Sequence, residues 1–538
     1  MEGPSIAENN ADRWSDKEEL TNQCRGTCFA GYPATISDLL GRDVGQVISI
    51  DMLPDDALLE ILHFYVDEAW DEHENELEAM WAWQSLVHVC RRWRSIVFGS
   101  PHRLNLRLIC TPNTRARDMS DIWPALPLVV QDLGYYKKSV GGIIALLERS
   151  DLVRRVSRID LWNAVGRDLE DILEAMQVPF PELTRLKLNR RPDETQPVLP
   201  FSDSFLGGSA SRLRSLWFYH IPYPGLPKLL LSATNLTHLR LKHIPDSGYI
   251  PPEAMAACLS TLTSLEKLTL EFRFPRPLPD QESQRPSPSI RTSLPVLDVF
   301  RFKGGAEYLE VLVAHVDAPR LRGLDITFFN DIVFVTPQIT RFITHTSTFE
   351  EFDEVRVILR ESTASVELSS AYAGLHVSVY CRELDWQLSF LKQVCTSSLP
   401  PSPLSTLHDL YMMSAPGCRW PQDWKDNMDY AQWLELLHSF TAVKNLYLFK
   451  GLAPCVVPAL QDLVGGRTTE VLAALENIFL EELQESGPVQ EGIGKFVAAR
   501  RVASHPVTVS RWADHRHAEL RSEGKKRGKR WLGLAWDD

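Results

Sequence analysis

The sequence predicts an α/β chain of two unequal parts. A short helical module comes first, followed by an irregular solenoid whose parallel strands line the concave side and whose helices lie outside. Three observations carry this. Two amphipathic segments, "MLPDDALLEIL" at 52–62 and "LVHVCRRWRSIV" at 86–97, lie close together near the start of 538 residues. Beyond them a pattern of the form L-x-x-L-x-L recurs, and each copy follows a segment that can form a helix.

Taken in order, residues 1–46 lack helical or strand periodicity and are rich in Asn, Asp, Glu and Gly, which predicts a disordered tail. The module is expected over 47–105. Pro54 fits the first helical position, where its missing N–H costs nothing. Asp55 and Asp56 then complement the positive end of the helix dipole. Leu58, Ile61, Leu62 and Tyr65 follow as one apolar stripe, and Leu86, Val89, Cys90 and Trp93, extended by Val97, repeat it on a second helix. Arg91, Arg92 and Arg94 point elsewhere, and Gly99-Ser100-Pro101 stops the helix. Such a core is too small to be stable alone. Its apolar surface either docks on a partner or caps the solenoid.

The array is expected over 106–500. Its central apolar residues are Ile159, Leu186, Leu216, Leu239, Leu268, Phe300, Leu324, Leu410, Leu446 and Ile478, with early steps of 27, 30, 23, 29, 32 and 24 residues. The gap between Leu324 and Leu410 leaves room for weaker copies at "FDEVRVIL" and "LHVSVY". This spacing belongs to stacked repeats, with a pair of ordinary α/β domains as the alternative. The segment 275–295, rich in Pro and Ser, reads as an inserted loop. Residues 501–538 read as a cap or basic tail, and "KKRGKR" at 525–530 is a candidate nuclear-import signal.

Strand alternation places Leu216 and Phe218 inward and Trp217 and Tyr219 outward. The outward set is Lys187, Trp217, Tyr219, Arg240, Lys242, Thr269, Glu271, Arg301 and Lys303, then Tyr411, Tyr447 and Phe479. Its middle is basic and aromatic. It is either an ordinary solvated strand face or a strip that recognises an acidic or phosphorylated segment of a client protein.

Composition narrows the function classes. A net charge of −13 argues against chain-wide nucleic-acid binding. No window reaches the roughly 18 unbroken apolar residues of a membrane span. The N-terminus is too polar for a signal peptide. Of nine cysteines only Cys24 and Cys28 lie close together, so reduced thiols in the cytoplasm or nucleus are expected. No zinc, phosphate-loop or nucleophile-elbow motif is present. "GPVQEGIGKF" from Gly487 lacks the required first glycine and the Ser or Thr after lysine. His88 reads as a surface histidine and Cys90 as a packing group. A non-enzyme without metal or cofactor is expected.

The Leu53-Pro54 start, Ile61, the Val89-Cys90-x-x-Trp93 signature and Ser100-Pro101 together resemble the F-box, a helical module that binds Skp-family adaptors. The resemblance covers about 55 residues of the 538. The array resembles the leucine-rich-repeat half that accompanies an F-box in fungal proteins, although the consensus Asn is missing. The resemblance implies a substrate receptor of an SCF-type cullin ubiquitin ligase. Leu53, Pro54, Leu58, Ile61, Leu62, Leu86, Val89, Cys90 and Trp93 would form the adaptor site. A leucine-rich-repeat scaffold outside any ligase is the alternative. One departure is "DEAWDEHENELEAMWAWQS", which separates the two helices with acidic residues from Asp67 to Glu78. It reads as a solvated helical extension or loop.

Overall fold

The computed structural model describes residues 50–72, 85–100, 103–104, 106–114, 126–132, 140–164, 166–191, 202, 204–222, 225–274, 291–329, 336–399, 401–414, 430–463, 467, 469–481 and 487–512. The N-terminal tail, Cys24 and Cys28, Pro101, the loop 275–290 and the KKRGKR cluster lie outside them.

The module is built on α1 (Asp55–Glu72) and α2 (Arg91–Gly99). The Pro54 carbonyl accepts the first helical bond, from Leu58 N at 3.0 Å, so Pro54 stands one place ahead of α1. The helix runs on into the acidic insertion as far as Glu72. Its two faces differ. Leu58, Leu59 and Leu62 are buried, while Ile61, Phe64 and Tyr65 are exposed. The stripe predicted through Leu58, Ile61, Leu62 and Tyr65 is therefore split, because residues three and four apart on a helix share a face only within a limited arc.

The second predicted stripe is also broken. Residues 85–87 are helical, but His88 and Val89 form a turn and Cys90 is extended. Cys90 is no packing group on a helix face. Its Sγ accepts a hydrogen bond from Trp93 N at 3.4 Å and caps α2. Leu59, Leu62, Leu86, Val87 and Val97 share a small core with Leu104, Leu106 and Leu126, and Trp93 packs against it. Leu108 touches both this core and the main one. The module's apolar interior thus continues into the first strand of the array.

The array strands are β1 (Leu108–Cys110), β2 (Leu128–Asp132), β3 (Val156–Ala164), β4 (Arg185–Arg190), β5 (Ser215–Tyr219), β6 (His238–Ile244), β7 (Lys267–Phe272), β8 (Thr292–Ser293), β9 (Val299–Gly304), β10 (Val316–Asp317) and β11 (Gly323–Phe328). They continue with β12 (Glu354–Leu359), β13 (Thr363–Ser369), β14 (Gly374–Tyr380), β15 (Asp409–Ser414), β16 (Asn445–Leu448), β17 (Asn477–Leu480) and β18 (Thr508–Arg511). Sixteen form one sheet, in the order β1-β2-β3-β4-β5-β6-β7-β9-β11-β14-β13-β12-β15-β16-β17-β18. The short strands β8 and β10 pair separately, so the end of the inserted loop is itself a strand.

Helices alternate with these strands. Those at Gly166–Ala175, Pro252–Leu259, Ala306–His315 and Tyr430–Leu437 fall where helical periodicity predicts them. Their apolar residues share one core with the inward side of the sheet. Ile159, Leu186, Leu216, Leu239, Leu268, Phe300 and Leu324 lie side by side in register and are buried. A repeat cannot bury this column alone, so stacking follows from the sequence. A second ladder joins the turns ahead of the strands, with Arg214 N bonded to Thr184 O, Thr237 N to Arg214 O and Glu266 N to Thr237 O, each at 2.8 Å. These bonds use backbone groups, so no consensus side chain is needed.

Two features differ from expectation. The "FDEVRVIL" and "LHVSVY" strands do not follow β11 in chain order. β14 pairs with β11, β12 pairs with β15, and β13, which carries no leucine pattern of its own, runs antiparallel between them. The chain thus skips two strand positions and fills them on the way back. The inward column stays in phase through Leu375, Leu368, Val355 and Leu410, because an antiparallel neighbour obeys the same two-residue alternation. The second difference is at the C-terminus. β18 pairs in parallel with β17, so the array extends to Arg511 and does not stop at residue 500.

Candidate protein-interaction surfaces

Two surfaces stand out. On the module, Ile61, Phe64 and Tyr65 are 46%, 74% and 48% exposed and lie at i, i+3 and i+4 on α1. Val89, in the turn before α2, is 59% exposed, and Ile50 and Met52 are exposed just ahead of α1. The predicted adaptor residues therefore divide. Pro54, Ile61 and Val89 are on the surface, and Leu53, Cys90 and Trp93 are half-buried. Leu58, Leu62 and Leu86 are buried and hold the module together. Phe64 escaped the sequence reading because it lies off the inward stripe.

Arg92 also escaped it. Its guanidinium bonds Asp55 Oδ1 through Nε at 2.9 Å and Nη2 at 2.7 Å, and Nη2 also donates to the Leu53 carbonyl. The first turn of α2 is thereby fastened to the start of α1, which fixes where Val89 stands relative to Ile61. His88 is exposed, as its reading as a surface histidine requires.

The second surface is the strand face that carries no helices. Lys187, Trp217, Arg240, Thr269, Arg301 and Asp325 occupy one row in register; in the next, Tyr219 pairs with Lys242 and Glu271 with Lys303, and a register shift between β6 and β7 separates the two pairs. All seven predicted client-binding residues are on this face, but they are not a strip of freely solvated charge. Lys187 lies between two indoles, 3.5 Å from the Trp162 centroid and 4.6 Å from that of Trp217. Arg240 stacks on the Trp217 ring at 4.1 Å. Lys303 sits 4.6 Å from the Tyr380 ring.

Acidic partners neutralise much of the rest, Glu271 from the predicted outward set and Asp160 and Asp325 from outside it. Asp160 faces Arg185 at 3.8 Å and Lys187 at 4.0 Å, Glu271 pairs with Lys242 at 3.4 Å, and Asp325 faces Arg301 at 3.9 Å. Each pairing joins neighbouring strands, so it becomes visible only once the register is known. Thr269 is buried rather than outward in effect.

The potential between these pairs is positive. Burial, and then Arg301 and Arg185, push Arg240 down to about 10. Burial, and then Lys267, Arg240 and Arg185, push His238 down to about 4. At the next turn His220 and His243 stack at 4.6 Å, both in the left-handed backbone region and both pushed to about 4, first by burial.

Farther along, at β11 and β14, His376 Nδ1 meets Asp325 Oδ1 at 2.8 Å, with Glu367 at 3.9 Å from the other ring nitrogen. Burial works against the imidazolium, but Asp325 and Glu367 outweigh it and raise His376. Burial would likewise raise Asp325, but His376, Arg301 and Lys242 outweigh it and hold the carboxylate low. Beyond this seam the face turns aromatic. Tyr411 and Tyr447 stack at 4.3 Å, and Tyr447 and Phe479 at 4.6 Å. Trp512 packs over them and against Phe449, so Tyr411 and Tyr447 are buried instead of open to a partner.

Among the described residues no group of three or more His, Cys, Asp or Glu could hold a metal ion. No described helix is long and apolar enough to cross a membrane. The six described cysteines are free thiols. Burial raises Cys110 and Cys395 to about 12 and Cys258 to about 11, which keeps them protonated and unreactive.

The alternation of strand and helix around one shared core makes the chain a leucine-rich-repeat-like α/β solenoid preceded by a small helical module. No family model matches the sequence. No curated protein matches it. Among solved structures, the leucine-rich repeat-containing protein LegL7 from Legionella pneumophila is similar over 73% of this chain and 97% of its own, at 14% identity and a TM-score of 0.26. The architecture rests on this chain's own register and packing rather than on that similarity.

Proposed function

We propose that the protein is a non-catalytic substrate receptor of an SCF-type ubiquitin ligase, acting in the cytoplasm, the nucleus or both. The module docks on a Skp-family adaptor and through it on a cullin, while the open strand face holds the client. The observation that carries this reading is the apolar stripe of Ile61, Phe64 and Tyr65. A helix already seated on its own core has no internal reason to present a second apolar face, and such faces mark docking sites. The F-box-like residues Leu53, Pro54, Ile61, Val89, Cys90 and Trp93 name the adaptor as occupant. The chain would supply proximity, raising the effective concentration of client near the transferring subunits.

The test is capture of a Skp-family adaptor by the full chain. Ile61→Ala with Phe64→Ala removes exposed side chains, so the module stays folded. Loss of an aromatic hot spot of about 2 kcal/mol or more weakens binding about 30-fold. Undiminished capture by this double variant excludes the stripe as the interface. No adaptor capture by the unaltered chain favours a repeat scaffold outside any ligase. Trp93→Ala is a poorer probe, because Trp93 packs on the module's own core.

A further inference from the structure

We infer that Arg240 and Trp217 form a recognition site for a single oxyanion, a carboxylate or phosphate carried by an extended segment of the client protein. The inference rests on the reading of the open strand face as the client surface and names what that surface recognises. The two residues are register partners on β5 and β6. The Arg240 side chain makes no hydrogen bond or ion pair among the described residues, whereas Lys242 and Arg301 on the same face are ion-paired. Its guanidinium carbon lies over the Trp217 ring, 4.1 Å from the ring centroid. Stacking of this kind leaves the in-plane N–H donors free and holds them in the fork that matches carboxylate and phosphate oxygens.

Trp217 adds a second unused donor. Its Nε1 is buried and has no hydrogen-bond partner among the described residues. A buried N–H without a partner costs free energy, and an arriving acceptor oxygen relieves that cost. Arg185 and Lys187 also lie over the Trp217 ring, at 5.4 and 4.6 Å, so positive charge converges on this one indole. Burial is the first cause that lowers Arg240 and His238, and the neighbouring cations lower both further.

The site is narrow. Asp160 bounds it on β3, Glu271 on β7 and Asp325 on β11. Strands about 4.8 Å apart make this a patch of roughly 20–30 Å. A polyanion laid across it would meet those carboxylates, so the geometry selects one anionic group on an otherwise unremarkable chain. That form fits a protein segment and excludes a nucleic-acid backbone.

The test uses the full chain and three decapeptides of Gly and Ser that differ at one central position, carrying serine, aspartate or phosphoserine. Peptide-observed NMR reads binding in the millimolar range. The phosphoserine peptide, the aspartate peptide or both saturate, and the serine peptide does not; which of the two anions binds tells a phosphorylated client from an acidic one. Arg240→Gln weakens binding about tenfold or more, the effect of losing a charge-assisted pair. Arg240→Lys does not restore it, because an ammonium lacks the fork. Trp217→Phe keeps the stacking face, loses the Nε1 donor, and costs a few-fold. Adaptor capture by Arg240→Gln equals that of the unaltered chain. If neither anionic peptide binds better than the neutral one, or if Arg240→Gln binds as well as the parent, the site is refuted, whatever the adaptor result. Loss of adaptor capture alone refutes the ligase reading and leaves the oxyanion site standing.

Discussion

The open strand face has two halves built on the same alternation, and they have opposite fates. From β3 to β11 its rows hold Lys187, Trp217, Arg240 and Arg301, stacked or paired across neighbouring strands and still reached by solvent. From β15 to β17 the same row holds Tyr411, Tyr447 and Phe479, which stack on one another and are covered by Trp512. The edges differ in the same way. Both halves carry the backbone ladder, but Asn445 donates to Asp409 at 2.7 Å and Asn477 to Asn445 at 2.8 Å, side chain to side chain, where Thr184 and Thr237 in the first half donate to backbone carbonyls. An outward position is therefore not by itself a binding position. In the second half it is internal structure, whereas in the first half the basic and aromatic side chains are still reached by solvent.

The largest expected difference between the halves lies in their tryptophans. Trp512→Ala exposes the aromatic stack and costs about 3–5 kcal/mol, the range for a buried aromatic. Trp217→Ala removes cation–π contacts from a half-exposed ring and costs about 1–2 kcal/mol. Midpoints of chemical unfolding compare them, and equal losses would erase the distinction between a covered and an open half.

The seam between the halves gives an intermediate effect. His376→Gln removes the cation beside Asp325 and costs about 1–3 kcal/mol near neutral pH. The pH dependence follows from the directions of the two shifts. The contribution of His376 is complete below its ordinary value of 6.5 and is lost as pH rises through its raised folded value. The contribution of Asp325 is complete above 3.8 and is lost as pH falls through its depressed folded value. Unfolding midpoints should thus fall on the alkaline side in the parent protein, and this fall should shrink in His376→Gln. An identical alkaline profile in both proteins would remove the pair from the account of the seam.

The smallest effect sharpens the comparison within the first half. Arg301→Gln strips a partner from Asp325 and costs about 1–2 kcal/mol. Arg240→Gln breaks no ion pair and loses one cation–π contact, a cost of about 0.5–1 kcal/mol. A loss at Arg240 as large as at Arg301 would mean that its guanidinium is spent on the fold rather than held for a partner.

Much of this was legible in the sequence. The inward column from Ile159 to Ile478 and the helices before it follow from period 2 and period 3.6 patterns, which are local. The outward set was legible as positions, because alternation assigns a face to every strand residue. Its chemistry was not. Asp160, Glu271 and Asp325 find Arg185, Lys187, Lys242 and Arg301 on other strands, 24 to 29 residues away, and nothing in either segment announces the pairing. The two faces of α1 show the same limit. Ile61 and Tyr65 carry the apolar signature of Leu58 and Leu62, and only the seating of the helix on Leu86 and Val97 decided which side stayed outside.

The sequence by itself determined that the chain stacks repeats, which apolar residues they bury, and that a two-helix module precedes them, because each repeat must hide a side it cannot cover alone. The tertiary structure decided the rest. It set the order of β12, β13 and β14, since an antiparallel hairpin satisfies the same alternation as two successive repeats and pairing alone distinguishes them. It put Trp512 over the tyrosines. It also left Arg240 with a ring in place of a carboxylate, because an ion pair depends on distance in space, and distance across strands is fixed by the register rather than by the order of residues along the chain.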